Sequence, residues 1–199
     1  MKHLLAVLLL WVASAATATV DAWPALYDVS GVAADDVLNI RETPSASAPI
    51  VGALAPNARN VEVIRLNDAE TWGLVNAGER SGWVSLAYMQ RQPDQWAGRY
   101  PQITSCYGTE PFWGLAVEAT RTTLSFFGEV AVDAPGMMRL QSSNRLDRFA
   151  LRAGGITAIL LEQSCNDGMS DREFGLSIEL VAPVDGNTMQ LSGCCTIQP

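Results

Sequence analysis

The chain has 199 residues, of which 48% are apolar, enough to bury one core or two small ones. Thirteen basic residues face 21 Asp and Glu, a net charge of −8 with no Lys/Arg cluster, and this excludes nucleic acid and anionic lipid, which both demand such clusters. Lys2 is the only lysine and His3 the only histidine, so Ser-His-Asp, Cys-His, Ser-Lys and Schiff-base chemistry are excluded from everything beyond the first few residues.

Residues 1–18, MKHLLAVLLLWVASAATA, carry an early lysine, an apolar run from Leu4 to Val12 and small residues ending in Ala16-Thr17-Ala18. This is the pattern of a secretory signal peptide with an A-x-A cleavage site, and it predicts a chain that begins near Thr19. The run is too short for a permanent transmembrane helix, and no cysteine near the cleavage site can take a lipid. A periplasmic or secreted protein with no transmembrane anchor is expected. Without the leader, 12 arginines oppose 21 acidic residues, a net charge of about −9 spread over both halves.

Between residues 25 and 92 short apolar stretches recur: ALYDVS, VLNIR, PIVGAL, NVEVIRL, TWGLVN and GWVSLAYM. Pro44, Pro49, Pro56, Asn57 and Gly78 punctuate them. Strands this short and evenly spaced predict a small antiparallel barrel. The ordered set VLNIRETPSASAPIVGAL, TWGLV and GERSGWVSLAYM resembles the bacterial SH3-like domain over nearly all of 25–92, with Thr43 where that family often has glycine. Such domains are commonly attached to exported proteins, and some bind cell-wall peptides. The resemblance implies ligand contacts at Tyr27, Asn39, Arg41, Trp72, Trp83 and Tyr88. Trp72 and Trp83 would also fill a barrel core short of other apolar volume, the reading taken for Trp83 and left open for Trp72.

The polar stretch RQPDQWAGRYPQ, 91–102, holds two prolines and no period. It marks a boundary, with residues 93–102 as a linker.

In the second half, 103–199, period 2 is cleaner. Phe174, Leu176, Ile178 and Leu180 alternate with polar or small residues in REFGLSIELV, the pattern of a half-buried strand. In PFWGLAVEA, Trp113, Leu115 and Val117 form the apolar side, which leaves Phe112 as the odd aromatic at a rim or opening. Further strands are predicted at 122–127, 137–142, 148–152, 156–165 and 187–194, with hairpin turns at Gly154-Gly155 and Asp185-Gly186. The expected result is a closed or nearly closed barrel of about seven or eight strands without long helices. GTEPFWGL, then CNDGMSDR and a terminal GCC, resemble a family of uncharacterised bacterial envelope proteins. That resemblance implies an envelope location and a small barrel, and no function.

Cysteine, aspartate and glycine crowd into QSCNDGMSDREF, 163–174, and the chain ends SGCCTIQP. Zinc is disfavoured, because no histidine remains after the leader and Cys194 and Cys195 are adjacent. Asp167, Asp171 and Glu173 are hard oxygen ligands near a glycine, but the calcium-loop spacing is missing and Arg172 intrudes. No metal or cofactor is expected. An even cysteine count in an exported chain reads as disulfides. Strand alternation sends Cys194 and Cys195 to opposite faces, so each needs its own partner among Cys106 and Cys165. The pairing stays open, with a preference for Cys165 to Cys195. Asp167 and Asp171 then cap a stapled turn, with Arg172 available to pair with one of them.

Any catalysis would rest on carboxylates, as in a two-carboxylate glycosidase with Glu110 and Asp167 as the pair. Glu110 reads instead as a structural contact at a strand entry, and no enzyme is expected. The sequence therefore predicts an all-β chain of two small β-barrels, an SH3-like barrel followed by a disulfide-bonded antiparallel barrel. The function expected is that of a non-catalytic exported envelope protein whose first module binds peptidoglycan or another envelope component. The alternatives are a protein partner, such as a lysozyme inhibited by the acidic second barrel, and a small apolar ligand inside that barrel with Phe112 at its mouth. An interior filled by Trp113, Leu124, Phe126, Phe174 and Leu176 would exclude the latter.

Overall fold

The computed structural model describes residues 22–97 and 100–199, so the leader read at 1–18 lies outside the described residues. The first half contains β1 (Ala25–Val29), β2 (Leu38–Arg41), β3 (Ile50–Leu54), β4 (Val61–Val63), β5 (Arg65–Leu66), β6 (Trp72–Ala77), β7 (Arg80–Ser85) and β8 (Met89–Arg91). A short hairpin follows, β9 (Trp96–Ala97) and β10 (Tyr100–Pro101). The second half contains β11 (Ser105–Thr109), β12 (Phe112–Val117), β13 (Arg121–Phe126), β14 (Glu129–Pro135), β15 (Met138–Gln141), β16 (Arg148–Ala153), β17 (Ile156–Cys165), β18 (Phe174–Val184) and β19 (Asn187–Thr196). Among the described residues the only helical element is a 3-10 turn at Leu86–Tyr88. The chain is all-β.

In the first half a three-stranded sheet, β4-β1-β8, packs on a five-stranded one, β3-β2-β7-β6-β5. Their shared core holds Ala25, Tyr27, Val29, Ile40, Val63, Val75 and Val84. Aliphatic residues and Tyr27 fill the space, and Trp83 lies outside this core.

The second half is one antiparallel sheet of nine strands in the order β14-β13-β12-β11-β19-β18-β17-β16-β15. Two meanders meet at the β11–β19 seam, and β14 and β15 are left as its edges. Where a closed or nearly closed barrel of about seven or eight strands was expected, the sheet is a nine-stranded half-barrel with β14 and β15 at its edges. Its concave face is filled: Leu124, Leu151, Leu160, Leu176 and Ile178 are fully buried, Trp113 is buried, and Phe126 packs against them. Phe174 is also buried, edge-on to Tyr107. Filling of this kind argues against an interior apolar ligand.

Two disulfides meet on β19, one across the seam to β11 and one past β18 to β17. Cys106 and Cys195 are register partners on β11 and β19 and are bonded, with Cα atoms 3.9 Å apart. Cys165 is bonded to Cys194. The preference for Cys165 with Cys195 is corrected by register: Cys195 points at Cys106 on the adjacent strand, which leaves Cys194, facing the other way, to reach Cys165. Gly108 and Gly193 let the strands close over Trp113. A Cβ at Gly193 would lie 2.2 Å from the Tyr107 carbonyl, and one at Gly108 2.3 Å from Trp113 Nε1.

The halves are packed together. Alternation in β1 sends Tyr27 into the first core and Leu26 into the second. Two described residues of the stretch read as a linker are held against both halves: Trp96 donates to the Pro24 carbonyl at 3.1 Å, and Trp96 and Tyr100 stand edge-on to Phe149.

Candidate functional site

A concavity of about 410 Å³ lies on the first half. Asn39 and Arg41 reach it from β2, Trp72 from β6 and Ser85 from the end of β7; Tyr88 comes from the 3-10 turn and Asp36 from the 30–37 loop. Local bonds hold Trp72, Tyr88 and Arg41 in place. Asn67 Oδ1 accepts from the backbone N–H groups of both Thr71 and Trp72 at 2.9 Å, so one side chain shapes the turn that presents Trp72. Ser30 N–H donates to the Tyr88 carbonyl at 2.9 Å, which ties the loop to the 3-10 turn. Arg41 Nη1 donates to the Ala48 carbonyl at 2.8 Å, anchoring one edge of the guanidinium. With Tyr88 45% exposed, the pocket offers an aromatic face beside a cation, an amide, a hydroxyl and the Asp36 carboxylate. Such a mixture suits a small polar peptide with a carboxylate for Arg41 and apolar surface for the rings.

Residues 36–90 match the family model of the bacterial SH3 domain. The matched SH3 segment carries β2 to β7 and most of β8, and β1, outside the match, completes the three-stranded sheet. No curated protein and no solved structure matches the chain, and the envelope-family resemblance of the second half finds no support in these comparisons.

Of the six contacts carried by the SH3 resemblance, Asn39, Arg41, Trp72 and Tyr88 line one pocket. The other two do not. Tyr27 is buried in the core of the SH3 half and stacks on Trp23 at 6.0 Å between ring centroids. Trp83 is neither core nor pocket. It lies half-buried on the outer face of β7, opposite Leu74 and Arg41 in register, with the Arg65 guanidinium 5.0 Å from its ring centroid. Asp36 and Ser85 were not among the sequence candidates, because a single acidic loop residue and a lone serine carry no pattern.

The segment 167–173 joins the second half to the SH3 half. Asp167 caps its turn, its carboxylate accepting from Met169 N–H, Ser170 N–H and the Ser170 hydroxyl at 2.9 to 3.0 Å. Burial alone would raise its pKa, but these bonds outweigh burial and hold it below the ordinary value. Asp171 does not cap that turn. Its backbone pairs with Glu79 and Ser81 of the SH3 half. Glu173 is bonded through its backbone to Asn76 and Ser81, and its carboxylate pairs with Arg65 at 3.3 Å. Arg172 lies over the Phe174 and Tyr107 rings instead of pairing with an aspartate of the turn. Among the described residues no group of three His, Cys, Asp or Glu could hold a metal ion.

Beside this segment Glu62 of β4 is buried, accepting from the Thr196 hydroxyl and, at 3.4 Å, from Ile197 N–H. Burial raises its pKa to about 7 against the lowering effect of those bonds. Glu62, Asn76, Arg172 and Thr196 line a cavity of about 70 Å³ between the halves. Phe112 is the first residue of β12, at the end of the β11–β12 hairpin. It is 52% exposed and meets Phe127 edge-on.

Proposed function

We propose that this protein is a non-catalytic exported envelope protein whose SH3 pocket binds peptidoglycan, through the peptide part of the wall. The observation that supports the reading is the convergence of Asn39, Arg41, Trp72 and Tyr88 on one pocket in a segment matching the bacterial SH3 domain. Arg41 is the group for a peptide carboxylate, and Trp72 and Tyr88 supply stacking surface for the aliphatic chain. Two disulfides are compatible with an oxidising location, and no described helix is long and apolar enough to cross a membrane.

The non-catalytic part of the proposal rests on chemistry. Beyond the leader there is no histidine or lysine to serve as base or nucleophile, and the Asp167 carboxylate is engaged by its own turn. The test is co-sedimentation of the purified protein and its pocket variants with peptidoglycan sacculi, with release of soluble wall fragments as the readout for catalysis.

A further inference from the structure

β13 and β14 are joined through Phe127 and Gly128, with Phe126 opposite Glu129. Both turn residues have positive φ, 49° and 85°. A two-residue turn of this kind normally takes Asn, Asp or Gly first. The turns Gly154-Gly155 and Asp185-Gly186 in the same sheet follow that preference. Phe127 departs from it, and a bulky residue in the left-handed region costs about 1–2 kcal/mol.

Burial does not offset that cost, since Phe127 is 64% exposed. Its ring lies edge-on to Phe126 at 4.8 Å and to Phe112 at 6.5 Å, and its N–H donates to the Phe112 carbonyl at 2.9 Å. Val130, 63% exposed, extends the apolar surface. A strained aromatic held outward beside a second exposed aromatic has the form of a contact anchor, since aromatic side chains dominate binding hot spots.

The charges at this end of the strands decide what the anchor meets. Glu110 and Glu129 are both exposed and adjoin the rings in sequence. Between residues 103 and 138 the only cation is Arg121, at the opposite end of β13 and paired with Asp133. The 166–173 turn, which meets Thr109 through the Asp167 carbonyl, also brings Arg172 to this end, where its guanidinium lies over the Tyr107 and Phe174 rings. A carboxylate rim repels anionic headgroups and attracts Arg and Lys. We propose that the tip formed by Phe112 and Phe127 is a docking surface for a cationic, apolar segment of a partner protein. It is separate from the SH3 pocket and does not rest on the wall-binding reading.

The experiment is calorimetric titration of the purified protein with a capped peptide of alternating Leu and Arg, and with its Glu counterpart. Vesicles of phosphatidylcholine, with and without phosphatidylglycerol, are titrated in parallel. The Arg peptide is expected to bind and the Glu peptide to fail. Phe127→Asn and Phe112→Ser should each weaken binding at least tenfold, and Glu110→Gln with Glu129→Gln should flatten its salt dependence. Phe127→Asn should keep or raise the melting temperature, because asparagine accepts the left-handed turn. Four results would overturn the proposal: no binding of the Arg peptide, equal binding by Phe127→Asn, vesicle binding that Phe127→Asn abolishes, or a melting temperature lowered in Phe127→Asn. The second would mean charge attraction alone, the third a membrane anchor, and the fourth a structural ring.

Discussion

Asp171 and Arg80 form a parallel β-bridge between the two halves, Asp171 N–H donating to the Glu79 carbonyl at 2.9 Å and its own carbonyl accepting from Ser81 N–H at 3.0 Å. Beside the bridge, Asn76 donates to the Glu173 carbonyl at 2.9 Å and accepts from the Ser81 hydroxyl at 2.6 Å. The aspartate-rich turn is thus a backbone clamp on the SH3 half. Its place in the fold is explained without a ligand.

Asn76→Ala removes these partly buried bonds and leaves the Glu173 carbonyl without its donor. Chemical denaturation should show a loss of about 1–3 kcal/mol. Asn187→Ala, which loses only an exposed bond to the Asp185 carbonyl, should cost less than about 0.5 kcal/mol. Equal effects would mean that Asn76 does not couple the halves.

The two disulfides close loops of unequal length, with sequence separations of 89 for Cys106–Cys195 and 29 for Cys165–Cys194. Chain entropy predicts a loss of about 4–5 kcal/mol on replacing the first pair by alanine and about 3–4 kcal/mol on replacing the second. Thermal unfolding of the two double variants orders them. The reverse order would show that native packing around Cys165 outweighs loop length.

Glu62 gives the protein a pH dependence of defined sign. Its folded pKa of about 7 lies above the ordinary 4.5, so between those values the folded state holds more protons than the unfolded state. Stability is therefore fully present below about pH 4.5 and declines as pH rises toward 7, by on the order of 3 kcal/mol. Asp28, lowered chiefly by its bond from Gln92, and Asp147, lowered chiefly by Arg145, act in the opposite sense as pH falls through the ordinary aspartate range. Unfolding free energies at pH 5 and pH 8 should differ in the wild type and converge in Glu62→Gln. A difference that persists in the variant would assign the dependence to another group.

The close packing of β11, β12 and β19 leaves no room for a methyl group. Gly193→Ala and Gly108→Ala should each lower stability by about 2–4 kcal/mol or prevent folding. A Cβ at Gly114 lies 3.2 Å from the Ser125 hydroxyl and meets nothing else, so Gly114→Ala should cost about 1 kcal/mol or less. The ratio of folded yields checks this.

Strands with a large apolar residue at every second position were legible in the sequence. The alternation of Phe174, Leu176, Ile178 and Leu180 appears in β18 as an unbroken row of buried residues, and Ile156–Cys165 was read with its full extent. β14 was not legible: its buried residues are only Val132 and Ala134, set among acids and ending at Pro135. Tyr27 was misplaced because a resemblance gives a position along a strand but not which face its neighbours cover. The role of residues 171–173 was hidden because it lies in their backbone, and pairing between distant segments leaves no local pattern. The strained Phe127 was hidden as well, since FFGE reads as the end of an apolar strand.

If the pocket lined by Asn39, Arg41, Trp72 and Tyr88 holds the wall, as proposed, the fraction of protein that sediments with purified sacculi reports it. Wild type, Arg41→Ala, Trp72→Ala and Phe127→Asn are compared after their melting temperatures have been matched. Wild type and Phe127→Asn are expected to sediment alike, while Arg41→Ala and Trp72→Ala bind at least tenfold more weakly. Wild type left in the supernatant, or pocket variants that sediment as well as wild type, would contradict it.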